Sequence, residues 1–189
     1  MTKSDEAAMR LFVALPAPPP VADELECWTR EQKKRLSFRK WTHPRDYHLT
    51  LQFLGDVPVS RAEELAGALR TVQTGPIRLE LGGIGTFGQP SAPRVLWASV
   101  TGDLERLTAL HKAVTEATAP LGFEAESRPY APHITLARGF AGGSPEGGFG
   151  ELAAPSGAGW VADRFVLMRT HMHQSPMYEV IGEFPLAGE

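Results

Sequence analysis

Two apolar, strand-like runs, Leu11-Phe12-Val13-Ala14-Leu15 and Leu96-Trp97-Ala98-Ser99-Val100, are each followed by apolar residues at helical spacing. After the first run, Val21, Leu25 and Trp28 share one helix face, and Pro20 suits the first turn. After the second, Leu104, Leu107, Leu110 and Val114 follow Asp103, a residue type that caps helices. A loop and a second strand then alternate polar with apolar residues: His48-Leu49-Thr50-Leu51 in one case, His133-Ile134-Thr135-Leu136 in the other. A third helix is predicted where Ser60-Arg61-Ala62-Glu63 forms a capping box ahead of Leu65, Leu69 and Val72, closing at Gly75-Pro76. Further strands are predicted over 77–81, 95–100, 164–172 and 178–184. Residues 139–159 hold eight glycines and no apolar period, which predicts a flexible surface loop.

The two motif strands stand 85 residues apart, and the same offset carries Pro44 onto Pro129 and the first apolar run onto the second. Strand, helix, loop and second strand therefore occur twice. The pattern predicts an α+β fold over residues 1–189, one domain of two interleaved lobes related by an approximate two-fold. Mostly antiparallel sheets would face a central cleft, with the helices outside. Equivalent residues of the two lobes would then meet across that cleft.

Composition narrows the setting. The 189 residues are 42% hydrophobic and 22% charged, an ordinary soluble balance in a length suited to one core. No apolar run approaches the roughly 20 residues of a membrane helix, and residues 10–16 are too short for a secretory signal, so a cytoplasmic protein is expected. Nothing in the pattern calls for an obligate protein partner. The single cysteine, Cys27, has no intrachain partner and no base near it in sequence, and is read as a packing residue. A net charge of −3 argues against a duplex-DNA coat. Residues 30–45, however, hold Arg30, Lys33, Lys34, Arg35, Arg39, Lys40 and Arg45 against Glu31 alone, either a solvated helix end and loop or a patch that steers a short anionic ligand.

The motif strands carry the candidate chemistry. A strand sends alternate side chains to opposite faces, so His48 shares a face with Thr50, and His133 with Thr135, while Leu49, Leu51, Ile134 and Leu136 turn to the core. Two imidazoles with ordinary pKa values of about 6.5 can supply a base and an acid together near neutral pH. Displacement at phosphorus needs those two functions on opposite sides, and threonine hydroxyls can donate to the non-bridging oxygens. No metal is needed for that scheme, and the pseudo-symmetry leaves open which ring is acid and which base.

These residues resemble the 2H phosphoesterases, named for two His-x-Ser/Thr-x motifs, and within them the RNA 2',3'-cyclic phosphodiesterases, also called 2'-5' RNA ligases. The resemblance covers nearly the whole chain: Arg10-Leu11-Phe12-Val13-Ala14-Leu15-Pro16, His48-Leu49-Thr50-Leu51-Gln52-Phe53-Leu54-Gly55, Pro93-Arg94-Val95-Leu96-Trp97 and Pro132-His133-Ile134-Thr135-Leu136-Ala137-Arg138. It implies hydrolysis of an RNA-terminal 2',3'-cyclic phosphate to a 2'-phosphate, with His48 as proton donor and His133 as proton acceptor. It also implies reversible 2'-5' joining in vitro, RNA ends or cyclic nucleotides as partners, and no cofactor or metal. The alternative is a module that binds RNA ends or cyclic nucleotides without chemistry.

Supporting residues come from the same blocks. Arg138 resembles the family's phosphate-contacting arginine, yet ideal strand parity puts it on the core side, so that role requires a bulge or strand end near Gly139. Phe53 has the same parity and is read as core. Tyr130 and Trp41 flank the motifs in loops and are candidates to stack an RNA base. His171 and His173 are expected on one face of a strand, solvent-facing rather than metal-bound; His43 is expected at the cleft edge and His111 on a helix surface. Where the family pattern has a serine and a glycine ahead of a tail tyrosine, this chain has Thr170 and Pro176 before Tyr178, so no tail residue is assigned to the site.

Overall fold

A computed structural model describes residues 6–188 apart from 144, 146 and 156. In chain order the regular elements are β1 (Ala8–Pro16), α1 (Pro19–Gln32), β2 (Leu36–Trp41), β3 (His48–Pro58), α2 (Ala62–Leu69), β4 (Ile77–Gln89), β5 (Ala92–Gly102), α3 (Leu104–Thr118), β6 (Ile134–Gly143), β7 (Gly159–Ala162), β8 (Arg164–Thr170) and β9 (Tyr178–Pro185). Among the described residues four short 3-10 turns punctuate them.

The strands hydrogen-bond in the order β7-β4-β5-β6-β3-β1-β8-β9, with β2 added alongside β6. Every pairing is antiparallel. The two halves meet where β3 pairs with β6, and the register there rests on one residue pair, Leu49 with Ile134. On one side of this seam lie β1, β3, β8 and β9; on the other lie β4 to β7 and β2. The last two strands thus return to the half that holds the first. No helix among the described residues is long and apolar enough to cross a membrane.

One sheet face is apolar and carries all three helices. Leu11, Val13 and Leu15 of β1, Leu49 and Leu51 of β3, Leu96 and Ala98 of β5, and Ile134 and Leu136 of β6 form one core with Val21, Leu25, Leu65, Leu69, Leu107, Leu110 and Val114. Each such fully buried aliphatic side chain contributes about 1.5–3 kcal/mol by leaving water. The opposite face holds a smaller apolar floor of Phe12, Ala14, Val166 and Met168, with Tyr178 against it. The polar side of each motif strand opens over that second face.

Several expectations change in detail. Helix α2 starts at Ala62 after a 3-10 turn, and Arg61 rather than Ser60 sits at its cap, without a side-chain cap bond. The capping box does not form, because the Ser60 N–H donates to the Glu6 carboxylate (3.0 Å). Asp103 does precede α3, but its carboxylate accepts from the Arg78 N–H (3.1 Å) instead of capping. Leu104 is left exposed. Cys27 is exposed on α1 and packs nothing into the core.

Residues 139–159 are not a free loop. β6 runs on to Gly143 and pairs with β2, a strand the charge-rich sequence of 36–41 disguised. Beyond it, the Trp28 indole N–H donates to the Ala153 carbonyl (2.8 Å), Leu152 is buried, and Phe149 packs against Phe38 and Phe140. Strand β8 ends at Thr170, so His171, Met172 and His173 form a turn rather than a strand face. His173 has a left-handed φ of 66°, and His171 Nε2 lies 3.6 Å from a Glu179 carboxylate oxygen. The offset between β1 and β5 also differs from the motif offset: Ala14 faces Thr50, whereas Trp97 faces Thr135, an 83-residue separation. A shift of two leaves every side chain on its expected face.

Candidate active site

The motif residues sit at the seam. With Leu49 opposite Ile134, the antiparallel register carries His48 to the position across from Thr135, and Thr50 to the position across from His133. Two cavities follow this division. The larger, about 670 Å³, is lined by Thr50, Phe53, Phe87, Arg94, His111, Arg128, Tyr130 and His133 among others. The smaller, about 130 Å³, is lined by Lys40, Thr42, His43, Asp46, His48, Thr135, Arg138, Met177 and Tyr178. Each cavity thus holds one motif histidine and the other motif's threonine.

Both imidazoles are held in the same way. His48 Nδ1 lies 2.7 Å from the Asp46 carbonyl oxygen, and His133 Nδ1 lies 2.8 Å from the Ala131 carbonyl oxygen, in each case two residues upstream. A carbonyl can only accept, so each Nδ1 carries its proton and each Nε2 is left to react. His48 Nε2 lies 3.0 Å from Thr50 Oγ1, whose hydroxyl donates to the ring when it is neutral. Aromatic rings wall each imidazole. His48 meets Phe12 (centroids 4.9 Å) and, edge-on, Tyr178 (5.1 Å); His133 meets Phe87 edge-on (4.9 Å) and Trp97 (6.0 Å).

This enclosure penalises the charged rings. Part of the His48 side chain still reaches solvent, but protein surrounds it closely, and burial lowers its pKa from the ordinary 6.5 to about 4. The Asp46 carbonyl and carboxylate oppose that shift, while Arg138 and His133 add to it. His133 is also lowered, by burial first and by Arg138, against the pull of the Ala131 carbonyl. Before an anion arrives, both rings therefore favour the neutral state.

An extra residue in each motif strand turns over the residues just beyond it. In β3, Thr50 pairs with Ala14 and Gln52 with Val13, leaving Leu51 without a partner. In β6, Thr135 pairs with Trp97 and Ala137 with Leu96, leaving Leu136 without one. A bulge of this kind reverses strand parity. Arg138 thereby points to the cleft, cross-strand from Lys40, as its candidate role required, and the bulge lies two to three residues ahead of Gly139. Phe53, read as core, is instead 62% exposed and lines the larger cavity.

The remaining candidates divide. Tyr130 lines the larger cavity, but its ring is stacked flat on His111 (centroids 4.1 Å, 5° between planes), and its hydroxyl donates to the Thr50 carbonyl (2.9 Å). Burial pushes its phenol pKa up. His111 is accordingly not a free surface residue. Trp41 ends β2 and lines neither cavity; its ring packs edge-on against Phe38 and lies under the Lys33 ammonium (5.6 Å). His43 lines the smaller cavity and Arg128 the larger, a pairing the 85-residue offset anticipates. His171 and His173 line neither, and no group of three His, Cys, Asp or Glu that could hold a metal occurs among the described residues.

Several site residues carry no assignment from the sequence: Asp46, Thr42, Phe87 and the tail pair Met177 and Tyr178; Lys40 belongs to the basic run of residues 30–45. The Thr42 hydroxyl donates to the Thr135 carbonyl (2.9 Å), and its N–H to the carbonyl of the bulged Leu136 (2.9 Å), which ties the end of β2 to the second motif. The tail reaches the site after all, through the start of β9. Asp46 has a local signal, an acid two residues before a motif histidine.

Comparison with known proteins shows the family and the fold. A family model described as LigT-like phosphoesterase matches residues 15–97 and 101–178. A protein of Geobacillus stearothermophilus named RNA 2',3'-cyclic phosphodiesterase is 38% identical over 180 residues, which cover 94% of the chain but only 57% of that relative's length. A Bacillus subtilis (strain 168) protein of the same name is 36% identical over 180 residues, covering 93% of the chain and 96% of the relative. The crystal structure of E. coli LigT in apo form superposes with a TM-score of 0.79 at 20% identity, over 96% of this chain and 99% of that one, a likeness of fold.

Proposed function

The chain belongs to the LigT-like phosphoesterase family, and from that premise we propose that it hydrolyses RNA-terminal 2',3'-cyclic phosphates to 2'-phosphates. His48 and His133 act as the acid and base. Following the family scheme, His133 takes a proton from the attacking water while His48 gives one to the departing 3' oxygen. Thr50 and Thr135 donate to the non-bridging oxygens, and the Arg138 guanidinium grips the phosphate in a two-pronged contact. With a 5' hydroxyl attacking the cyclic phosphate in place of water, the same path forms a 2'-5' linkage as the bond to the 3' oxygen breaks, and attack by that 3' hydroxyl on the 2'-5' linkage is its reverse.

One observation carries this reading: two imidazoles, each tethered through Nδ1 and each presenting Nε2, stand at the seam with a hydroxyl across from each. The larger cavity falls within the roughly 300–1,000 Å³ of small-molecule sites, room for a nucleoside. The smaller one sets the Lys40 and Arg138 cations beside two imidazoles and the Asp46 carboxylate, a net cationic pocket of anion size. An anion seated there offsets the burial penalty on the acid ring and lets it hold its proton. The names of the relatives support RNA ends as the substrate class.

The deciding experiment is a panel of cyclic-phosphate substrates, RNA ends and cyclic mononucleotides, with the product isomer identified. A 2'-phosphate product formed equally in the presence of a chelator is expected. Retention of the cyclic phosphate without conversion would make the protein a binding module, and a 3'-phosphate product would reverse the assigned leaving group.

A further inference from the structure

Asp46 is the one charged residue among the buried ones described, 3% exposed, and the acid-base path above gives it no part. Both its carboxylate oxygens accept main-chain hydrogen bonds from the far end of the chain: Oδ2 from the Met177 N–H (2.9 Å) and Oδ1 from the Tyr178 N–H (3.3 Å). Its own carbonyl accepts the His48 Nδ1–H. Tyr178 opens β9, and its ring meets His48 edge-on, at 88°, while also packing on Phe12. One residue thus touches His48 through its backbone and fixes the strand whose tyrosine walls the ring.

The second motif provides an internal control. The equivalent of Asp46 under the 85-residue offset is Ala131, whose carbonyl holds His133 in the same way but whose methyl group can clamp nothing. The two histidines share one local geometry, and only the first is braced by distant backbone. A buried carboxylate is costly unless its oxygens are satisfied, and here two amides satisfy them. Two charge-assisted bonds to residues 131 and 132 positions away are more than a surface turn needs.

We infer that Asp46 is a positioning residue for His48: it clamps the start of β9 against the ring and so holds the Nδ1–H tautomer and the aim of Nε2, a brace His133 lacks. The inference rests on the two histidines being the acid-base pair proposed above. Asp46 itself touches no reacting atom. The carboxylate shares its cavity with Lys40, His43, Arg138 and Tyr178, so the brace also orders the wall of the cationic pocket.

Asp46→Ala removes both acceptor oxygens and keeps the backbone carbonyl. Misplacing a catalytic group by about 1 Å can cost about 10²-fold in rate, so kcat on a cyclic nucleotide is expected to fall by about that factor with KM little changed. In long-range 1H–15N spectra at neutral pH, the wild-type rings should both show the Nδ1–H tautomer. In Asp46→Ala the His48 signals should move toward a tautomer mixture while those of His133 stay. Asp46→Asn, which retains one acceptor oxygen, should fall between. Wild-type kcat in Asp46→Ala, or equal disturbance of both rings, would overturn the inference. If Asp46→Ala does not fold, Asp46→Asn decides: a partial loss with a selective His48 change supports the brace, and wild-type kcat and spectra assign Asp46 to stability alone. A wild-type enzyme that turned over no cyclic phosphate would defeat the proposed function, yet the spectra would still test the clamp.

Discussion

Phe53 and Arg138 occupy the same position of the repeat, 85 residues apart, and in both strands a bulged leucine has turned that position from the core into the cleft. The fold is symmetric there and the chemistry is not: an exposed ring lines the larger cavity, and a guanidinium lines the smaller. A nucleotide seated with its base over Phe53 and its phosphate toward Arg138 has one orientation. Phe53→Ala should raise KM for cyclic nucleotides about tenfold, since base stacking contributes about 1–3 kcal/mol. Because Phe53 is already exposed, the melting temperature of this variant should not move. Arg138→Lys keeps the charge but loses the planar fork, and should recover only part of the activity missing in Arg138→Ala, read as kcat/KM.

Single histidine variants test the acid-base pair. His48→Ala and His133→Ala should each lower kcat by about 10²–10⁴-fold, the range of one acid or base, with circular dichroism unchanged. Full activity in either variant would remove that ring from the mechanism.

The lowered histidine pKa values predict how activity and stability depend on pH. The free enzyme's kcat/KM should trace a bell whose optimum lies on the acid side of 6.5, because burial lowers both rings. Stability should fall in the same acid range. Unfolded His48 binds a proton near 6.5, folded His48 only near 4, so the unfolded state holds more protons between those values. The stability His48 contributes is complete above about 6.5 and declines as pH falls toward 4. His48→Gln should flatten that part of the melting curve against pH; an unchanged slope would contradict the burial of the ring.

Charge on and beside β2 predicts a dependence on RNA length. Arg30 is paired with Glu26 and Lys34 with Glu31, whereas Lys33, Arg39, Lys40 and Arg45 are exposed and have no carboxylate within ion-pair distance among the described residues. Lys40 lies cross-strand from Arg138, so this charge leads toward the smaller cavity, the proposed phosphate pocket. Replacing Lys33 and Arg39 with Glu should weaken action on an oligonucleotide ending in a cyclic phosphate and leave a cyclic mononucleotide almost unaffected. The salt dependence should lessen by about 0.7 in log–log slope for each phosphate that is no longer neutralised. Equal effects on both substrates would exclude this track.

The seam itself should be energetically sensitive. Leu49 and Ile134 are 1% and 0% exposed and, among the described residues, form the single strand pair that joins the two halves of the sheet. Leu49→Ala should cost about 2–5 kcal/mol in chemical denaturation, the range for large-to-small changes in a packed core. A loss below that range would mean that the site closes around the gap.

Much of this molecule was legible along the chain because the relevant signals are local. Alternation over four residues placed His48 with Thr50 and His133 with Thr135, and helical spacing marked Val21, Leu25, Leu107 and Leu110 as buried. Repetition of those patterns implied two equivalent strands and hence two facing histidines. The failures share one cause. Local pattern assigns Phe53 to the core, hides the strand at residues 36–41 and leaves Tyr178 outside the site, each because its environment is supplied by a partner far away in sequence.

Thus the chain by itself determined which candidate residues share the polar face of each motif strand, since side-chain alternation is a property of consecutive backbone. Only the tertiary structure decided where that alternation breaks. A bulge exists relative to a neighbouring strand, and Leu51 and Leu136 become extra residues through their pairing with β1 and β5. The seam at Leu49 and Ile134 and the reach of Asp46 to Met177 and Tyr178 are likewise choices of hydrogen-bond partner across space. Those choices minimise unpaired backbone and carboxylate groups over the whole sheet, a condition that no short stretch of sequence contains.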